Sequence, residues 1–585
     1  MTALFAIWFC GGLLYYLPNN GGSGLSLPFN ISTWIVIALA TLWLTLTLPV
    51  HALRTAIRKP KNDAAKWNIL WLLPAGALLW SLPLIWSPSV ASRIDSLPHV
   101  AALWGFLGFL WLLRRLPYRA QRSRHWLVVL WAAALLQAIF GFLQVTVFIH
   151  YGHFPGSRPY GIFQQPNLQA SFIGTGLACL LYSRLFLRPA ALIVRPFSCC
   201  AIFFLPFMLV WLQSRAGTIG GLLAVLLLSS VYLNEKRGTR VLCYQWLLML
   251  SGVALALLLQ DGLWNLLTRD LFPNWDWHNP LIKNLFSMRD TTGSTHAREY
   301  ILKTTWQVIK HHPWVGTGYG SYEAAFANET VISGGNFNES TLIHPHNELL
   351  YAWAEGGFCA LAGMVVMIGG ILLSLWNKRG LKWCGVALLL PIAIHMNLEY
   401  PLYQSVPHGL AMVMLLSLVL PPGRSQIIDS EELQRKARNI SNRVPLFQKV
   451  DAIRTFCFLT GLVVLLFMTG ALQTQQTLVS VERENMAPLA LDEAGTLSKL
   501  WNPISLSSRV DYDWHVALLM RYNITHEKWL LRKFDAWAEE YLKRHNDPNL
   551  VNSRLMISTV LAPQKSAAIC HQAHLLWPSD KRFRC

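Results

Sequence analysis

Two histidines and an amide follow one another at His344, His346 and Asn347, in the sequence ESTLIHPHNELLYAWAEGGF. A neutral imidazole accepts a proton near neutral pH, so this spacing suits general base chemistry. The stretch closes a long polar segment, at about residues 261–345, and leads directly into an apolar run. Burying such groups without partners is costly. We therefore expect the imidazoles to lie at the mouth of a cavity; a polar loop with two solvated histidines is the alternative.

The composition indicates that this stretch belongs to a membrane protein. Of 585 residues, 53% are hydrophobic and only 14% are charged, which is too apolar for a soluble protein. The formal net charge of +19 could suggest a nucleic-acid partner. However, the basic residues form short clusters between apolar runs, where they orient helices in a bilayer. We expect an all-α polytopic membrane protein that contacts membrane lipid and binds no nucleic acid.

Apolar runs of nearly 20 residues, enough to cross about 30 Å of hydrocarbon, predict about thirteen spans. They are 3–17, 32–53, 67–86, 99–116, 126–151, 168–187, 197–213, 217–234, 241–260, 348–376, 384–401, 407–421 and 455–473. We interpret the first run as a retained helix because it lacks a basic segment and a clear cleavage site. The loops after every second span are basic, so the positive-inside rule places them in the cytoplasm. The N-terminus is then inside, and the C-terminus and His344 are outside.

This topology divides the chain into four parts. Residues 1–260 contain nine spans, 261–345 form a large outer loop, 346–473 contain four spans, and 474–585 form an outer helical tail. The amphipathic helices of the tail resemble tetratricopeptide packing, although no 34-residue repeat is evident. Within the outer loop, a helix from Arg298 to Lys310 is predicted to end at Pro313 and to lie along the membrane interface.

Three further polar motifs fall on the outer side. They are GIFQQPN with Gln164 and Asn167, QSRAG with Arg215, and NLEYP with Glu399. Each has a structural explanation: helix capping for the amides, an arginine that extends to the headgroups, and an ion pair for the carboxylate. Because four motifs distant in sequence converge on one side of the membrane, we expect them to form a single site.

Two other chemistries are disfavoured. The GTGYG sequence after Trp314 has glycines, but no strand precedes it and no helix with Lys-Ser/Thr follows, as a nucleotide-binding loop requires. The histidines at 296, 311, 312, 344 and 346 could in principle hold a metal, yet His296, His311 and His312, like the two histidines of the turn, lack the spacing and carboxylates of zinc motifs. We therefore expect neither a nucleotide, nor a metal, nor another cofactor.

In this order, the motifs resemble those of the bacterial superfamily of O-antigen ligases, O-antigen polymerases and PglL-type protein O-oligosaccharyltransferases. The resemblance covers about residues 150–405 and rests on GIFQQPN, QSRAG, the 298–306 stretch with HPWVGTGYGSY, HPHNELL and NLEYPLY. NLEYPLY with a helical tail ending in Cys looks most like the PglL-type branch. The resemblance implies an α-helical membrane fold with a long periplasmic loop, and glycan transfer from undecaprenyl diphosphate to an acceptor hydroxyl.

The chemistry of such a transfer assigns roles to these residues. Arg215 and Arg298 suit the diphosphate, because a guanidinium binds phosphate oxygens bidentately. His346 suits the acceptor hydroxyl as a base. By resemblance, Gln164 and Tyr403 would orient substrate. The candidate substrate-binding residues are Gln164, Asn167, His344, Asn347, Glu399 and Tyr403.

The tail offers a reason to prefer a protein acceptor, since helix-pair scaffolds provide grooves for polypeptide. We expect a pilin or periplasmic protein; a ligase or polymerase acting on lipid-linked glycan is the alternative. A transporter or flippase is less consistent, because it would need ionisable groups near the bilayer midplane and often shows inverted repeats. Cys570 and Cys585 are predicted to form a disulfide in an oxidising compartment at the inner membrane's outer face.

Overall fold

The computed structural model describes residues 1–48, 69–116, 120–148, 158–187, 194–260, 292–334, 342–376, 382–420 and 452–585. All regular elements in these ranges are helical. In chain order the α-helices are α1 (Thr2–Cys10), α2 (Pro28–Thr47), α3 (Leu72–Ser81), α4 (Val90–Leu113), α5 (Ala120–Thr146), α6 (Pro166–Phe186), α7 (Val194–Trp211), α8 (Arg215–Asn234), α9 (Thr239–Gln260), α10 (Thr292–His311), α11 (Tyr322–Ile332), α12 (Glu348–Trp376), α13 (Lys382–Met396), α14 (Pro401–Gln404), α15 (Val406–Val419), α16 (Ala452–Arg483), α17 (Ala487–Leu491), α18 (Glu493–Ser498), α19 (Ser507–Thr525), α20 (Lys528–Leu542), α21 (Pro548–Leu561) and α22 (Pro563–Leu576).

Each predicted span coincides with a helix of the structure. Within the described ranges, eight helices are long and apolar enough to cross a bilayer, and four more are apolar but shorter. The prediction of an all-α polytopic membrane protein is therefore confirmed, while the number of spans remains a prediction. Most of the basic loops that set the predicted orientation, including 54–66 and 424–451, lie outside the described residues.

The helix α6 lies at the centre of the bundle. It packs against α5, α7, α8 and α13, and every residue from 168 to 181 is buried. A Cβ on Gly217 of α8 would lie 2.3 Å from the Cβ of Ala170, so glycine allows the two helices to approach closely. This contact places the start of α8, which carries Arg215, beside the start of α6.

The segment 313–321 lies against a break in α12. Inside that helix, Gly357 has φ of +63° and ψ of −160°, a conformation that glycine adopts readily. The N–H of Gly318 donates to the carbonyl of Glu355 at 2.8 Å. The Glu355 carboxylate in turn accepts the backbone N–H groups of residues 320–322 at 2.9–3.1 Å. The glycine-rich segment is thereby fixed to α12 and leads into α11.

The apolar face of α10 is covered by protein. Ile301, Val308 and Ile309 are buried in a cluster with Phe326 of α11 and Trp577 of the tail. The predicted helix is present, and Ile301, Val308 and Ile309 pack inside the protein, whereas Leu302 and Trp306 are exposed. Its place along the membrane interface stays a prediction.

The tail consists of helices that pack in sequence order. After α16, which extends to Arg483, α19 packs against α20, α20 against α21, and α21 against α22. Such neighbour-to-neighbour packing is typical of stacked helix pairs. Cys570 of α22 and Cys585 form a disulfide, with their sulfur atoms 2.11 Å apart. The chain terminus is therefore fastened to the last helix.

Candidate active site

The residues from His344 to Asn347 form a tight turn directly before α12. His346 has a left-handed backbone with φ of +58°, which is uncommon for a residue other than glycine. Its N–H donates to Nδ1 of His344 at 3.0 Å. The side-chain oxygen of Asn347 accepts the N–H of Leu350 at 3.0 Å, as a helix N-cap does. His344 and Asn347 thus hold the turn on which the ring of His346 is mounted.

Asn347 also joins this turn to the loop after α13. Its amide donates to the carbonyl of Asn397 at 3.1 Å, two residues before Glu399, whose side chain is only 3% exposed. The carboxylate of Glu399 accepts hydrogen bonds from Gln165 at 2.9 Å and from Asn167. Glu399 therefore connects the motif before α6 with the motif after α13.

An arginine completes the surroundings of this carboxylate. Nη2 of Arg298 lies 2.8 Å from Oε1 of Glu399, and the arginine side chain is 29% exposed. A carboxylate buried beside membrane helices is expected to find such a cationic partner. A guanidinium has five N–H donors, so this ion pair leaves Arg298 able to hold a second anion.

The second arginine reaches the same helix from α8. Ser214 caps α8 by accepting the N–H of Gly217 at 3.4 Å, and Arg215 is the first residue of the helix. Nη2 of Arg215 donates to Oγ1 of Thr295 at 2.9 Å. Thr295 and Arg298 are three residues apart on α10 and so share a face. α10 therefore brings the two arginines to neighbouring positions.

Three buried polar atoms at the turn lack a hydrogen-bond partner among the described residues. They are Nε2 of His344, Nδ1 of His346 and Oε1 of Glu348. Because buried polar atoms in proteins are nearly always paired, such a cluster marks a place where substrate groups can bind.

The His346 ring is half-buried, and burial lowers its pKa to about 4. The Glu399 carboxylate opposes this shift, while His344 and Arg298 add to it. At neutral pH the imidazole is consequently uncharged and able to accept a proton.

Aromatic rings enclose the two histidines. The ring centroid of His344 lies 4.5 Å from that of Tyr351, 4.6 Å from that of Tyr400 and 5.5 Å from that of Tyr403. The ring of Tyr400 also lies 5.4 Å from that of His346. Tyr403, which the sequence singled out, thus supports His344, and Tyr400, which it did not, contacts both histidines.

A chain of buried side chains leads from Glu399 into the bundle. Nε2 of His395 lies 3.5 Å from the Glu399 carboxylate, and its Nδ1 lies 2.7 Å from the hydroxyl of Ser171. The same hydroxyl lies 3.1 Å from Nε2 of His408, whose Nδ1 lies 2.7 Å from the hydroxyl of Ser405. Sequence reasoning missed the two histidines, because each lies within an apolar run and outside the NLEYPLY motif that separates them.

The two glutamines of GIFQQPN occupy different positions. Gln165 contacts Glu399, whereas Gln164, the predicted substrate-binding residue, has a left-handed backbone with φ of +59° at the turn before α6. Adjacent residues of a turn direct their side chains differently, which a motif alone does not reveal.

The other outer histidines do not form a metal centre with this turn. His311 pairs with Glu329 of α11 at 3.0 Å. Within the part of the chain that the structure describes, no group of three or more His, Cys, Asp or Glu side chains is arranged to hold a metal ion.

Known families match successive parts of the chain. A family described as O-antigen ligase matches residues 200–365, and one described as protein glycosylation ligase matches residues 159–182. The C-terminal part of a virulence factor membrane-bound polymerase family matches residues 383–583. Over these successive parts the chain is similar to O-antigen ligases and to protein glycosylation ligases. The resemblance inferred from the motifs is thereby confirmed.

A curated relative within the O-antigen ligase superfamily has a similar sequence over part of its length. The O-antigen ligase of Salmonella typhimurium is 27% identical over a region that covers 34% of this chain and 52% of the relative. The match thus spans about half the length of that protein. Together with the apolar helices, the similarity to these ligases indicates an integral membrane protein.

The matched regions contain every part of the candidate site. Arg215, Arg298 and His346 lie within the O-antigen ligase match, and Asn167 lies within the protein glycosylation ligase match. Glu399 lies within the polymerase match, which continues through the tail.

Proposed function

We propose that this protein transfers a glycan from undecaprenyl diphosphate to Ser or Thr hydroxyls of a pilin or periplasmic protein. The observation that carries the proposal is the juxtaposition of an uncharged, half-buried His346 with the Arg298–Glu399 pair, on a turn where three buried polar atoms have no hydrogen bond to the described residues. Families of ligases that match the same residues support it.

The reaction balances with the groups at this site. The acceptor oxygen forms a bond to the anomeric carbon of the glycan, the bond from that carbon to the diphosphate breaks, and undecaprenyl diphosphate leaves. The hydroxyl proton passes to His346. Arg298 and Arg215 stabilise the charge that develops on the leaving diphosphate. Because the diphosphate is already a good leaving group, the proposal requires neither a nucleotide nor a metal.

The positions of the arginines suit this division of tasks. Both contact side chains on one side of the His346 turn: Arg298 through Glu399 and Arg215 through Thr295 of the same helix. Asn167 and Gln165 also donate to the Glu399 carboxylate, which fixes the carboxylate beside Arg298.

The proposed location is the outer face of the bacterial inner membrane, with the N-terminus in the cytoplasm and the C-terminus in the periplasm. The lipid-linked donor is presented there, and an oxidising compartment suits the Cys570–Cys585 disulfide. The four-part domain division belongs to the same proposal.

Two acceptors are compatible with the family matches, a protein and a lipid-linked glycan or lipid. The short protein glycosylation ligase match favours a protein acceptor, whereas the O-antigen ligase relative and the polymerase match favour a lipid-linked one. The tail supports the protein acceptor, since it packs beside the site through α11 and α22.

The test supplies purified enzyme with undecaprenyl-diphosphate-linked glycan and, in parallel reactions, a pilin-like protein or a lipid A-core acceptor. Sugar on Ser or Thr of the protein is the expected product. Sugar appearing only on the lipid, or only as longer lipid-linked chains, would assign the protein to the ligase or polymerase branch.

A further inference from the structure

The helix α16 has an exposed apolar row, so the position of the bilayer boundaries can be estimated by counting residues along it. Near its start, Nε of Arg454 donates to the carbonyl of Thr45 at the end of α2, at 2.6 Å. From there an exposed apolar row runs along the helix to Phe467: Phe456, Leu459, Val463, Leu466 and Phe467. At a rise of 1.5 Å per residue, about 20 residues cross about 30 Å of hydrocarbon. Counted from Arg454, the opposite boundary lies near residue 474.

The tail returns to α16 at this boundary. The side chain of Asn502 donates to the carbonyl of Phe467 at 2.9 Å, and its N–H donates to Oγ1 of Thr474 at 2.9 Å. The amide of Gln473 donates to the carbonyl of Lys499 at 2.7 Å. Residues 499–502 are therefore held alongside 467–474 of α16, where the helix changes from apolar to polar side chains.

Two large apolar side chains of this returning segment face away from the protein. Leu500 and Leu506 are buried against Leu478 of α16. Between them, Trp501 is 71% exposed and Ile504 is 77% exposed. They continue the exposed apolar row of α16 at the depth where tryptophan is enriched in membrane proteins.

We propose that the segment 499–504 is a membrane anchor, with Trp501 and Ile504 inserted into the interface of the leaflet nearest the candidate site. The partner is lipid, because the segment is continuous with the lipid-facing row of α16 and is fixed at the depth of its boundary. A soluble partner would have to enter the headgroup layer to reach it.

The anchor also restrains the position of the tail. Directly after it, α19 begins, and Ser508 donates to the carboxylate of Asp95 in α4 at 2.7 Å. The anchor and this contact together fix the height of the helix pair α19 and α20 above the bilayer. The helix pair is therefore held at the membrane surface and does not swing away from it.

The test places the photocrosslinker p-benzoylphenylalanine at position 501 of the full-length protein in native membranes. Position 524 is the matched control: Ile524 is 60% exposed and lies at the far end of α19, about 24 Å from Ser508 along the helix axis. After irradiation, the labelled peptides are analysed by mass spectrometry and the protein by gel mobility.

A phospholipid adduct at position 501 and none at position 524 is the expected result. Crosslinking of position 501 to another protein or to a second copy of this chain, both visible as a heavier band, would overturn the proposal. Equal lipid labelling at the two positions, or none at 501, would overturn it as well.

Discussion

At the scale of single residues, the two histidines of the turn have different tasks. His344 accepts the backbone N–H of His346, whereas Nδ1 of His346 has no hydrogen-bond partner in the described part of the chain. We expect His346→Ala to lower the transfer rate by about 10²–10⁴-fold, the usual contribution of a positioned base, and His344→Ala to lower it less. Glycan transfer is compared at matched protein level, with exposed His312→Ala as the control. Near-normal transfer by His346→Ala would exclude it as the base.

The low pKa of His346 gives a second residue-scale prediction. Burial holds the imidazole uncharged down to a pKa of about 4, so the form that accepts a proton persists well below the ordinary value near 6.5. The acid limb of kcat/KM should therefore lie near pH 4, with little change in rate between pH 6 and 8. A pH profile recorded with the purified enzyme checks this. An acid limb at pH 6.5 or above would indicate a solvated histidine.

The arginines are predicted not to tolerate lysine. Hydrogen bonds to charged groups contribute about 1.5–3 kcal/mol, and an ammonium cannot reproduce the planar fork of a guanidinium. Arg298→Lys and Arg215→Lys should each lower transfer by about 10- to 100-fold. Arg237→Lys, at an ion pair with Glu235 of 2.7 Å, is the control. A fully active Lys variant at either site would make that arginine a headgroup anchor.

Residue roles were only partly predictable from the sequence. Glu399 was conspicuous because a carboxylate at the end of an apolar run needs a partner, but nothing in the sequence identified Arg298, 101 residues away, as that partner. The choice between Gln164 and Gln165 depends on turn geometry. His395 and His408 become noticeable only when α13 and α15 place both beside Ser171.

At the scale of elements, the length of the apolar runs and the positions of helix-ending residues were sufficient to predict the helices. The run 348–376 coincides with α12, and Pro313 follows the end of α10 at His311. What periodicity could not show is which surface covers an amphipathic face. Ile301 and Val308 predict an apolar stripe on α10, but the covering residues Phe326 and Trp577 come from α11 and the tail.

The disulfide stabilises the part of the tail that covers the apolar face of α10. Cys570 and Cys585 are 15 residues apart in sequence, and the loop they close includes Trp577 and the buried Phe583. On the chain-entropy model, a loop of this size contributes about 3 kcal/mol. The double variant Cys570→Ser with Cys585→Ser should accelerate hydrogen exchange in α22 and α10, whereas Cys200→Ser, at an exposed free thiol, should not. Free thiols at both positions in non-reduced wild type would contradict the bridge.

At the scale of the whole molecule, the tail is docked onto the membrane bundle by charged groups as well as by the apolar cluster. Glu323 of α11 accepts the N–H of Asn546 at 2.7 Å and lies 2.9 Å from Nδ1 of His545. The carboxylate of Asp95 in α4 accepts from both Ser508 and Arg544. Composition predicted a helical tail, but its docking depends on partners more than 200 residues away in sequence.

This docking makes the role of the tail testable without removing it. A cut near Gln473 would also delete polar contacts of α16 with the first loop, such as that of Gln476 with the carbonyl of Pro18 at 3.1 Å. Asp95→Asn instead removes the charge that holds Ser508 and Arg544 and leaves α16 intact. If the tail positions a protein acceptor, this variant should raise the KM for the acceptor protein, by about tenfold for the loss of the charged hydrogen bond to Arg544. Binding of the lipid-linked donor should be unchanged.

Asp580→Asn, which removes the partner of Arg582 at 2.7 Å, is the control for charge loss within the tail. Equal losses in donor binding and acceptor KM would show that the tail only stabilises the bundle, and an unchanged KM would separate its docking from acceptor recognition.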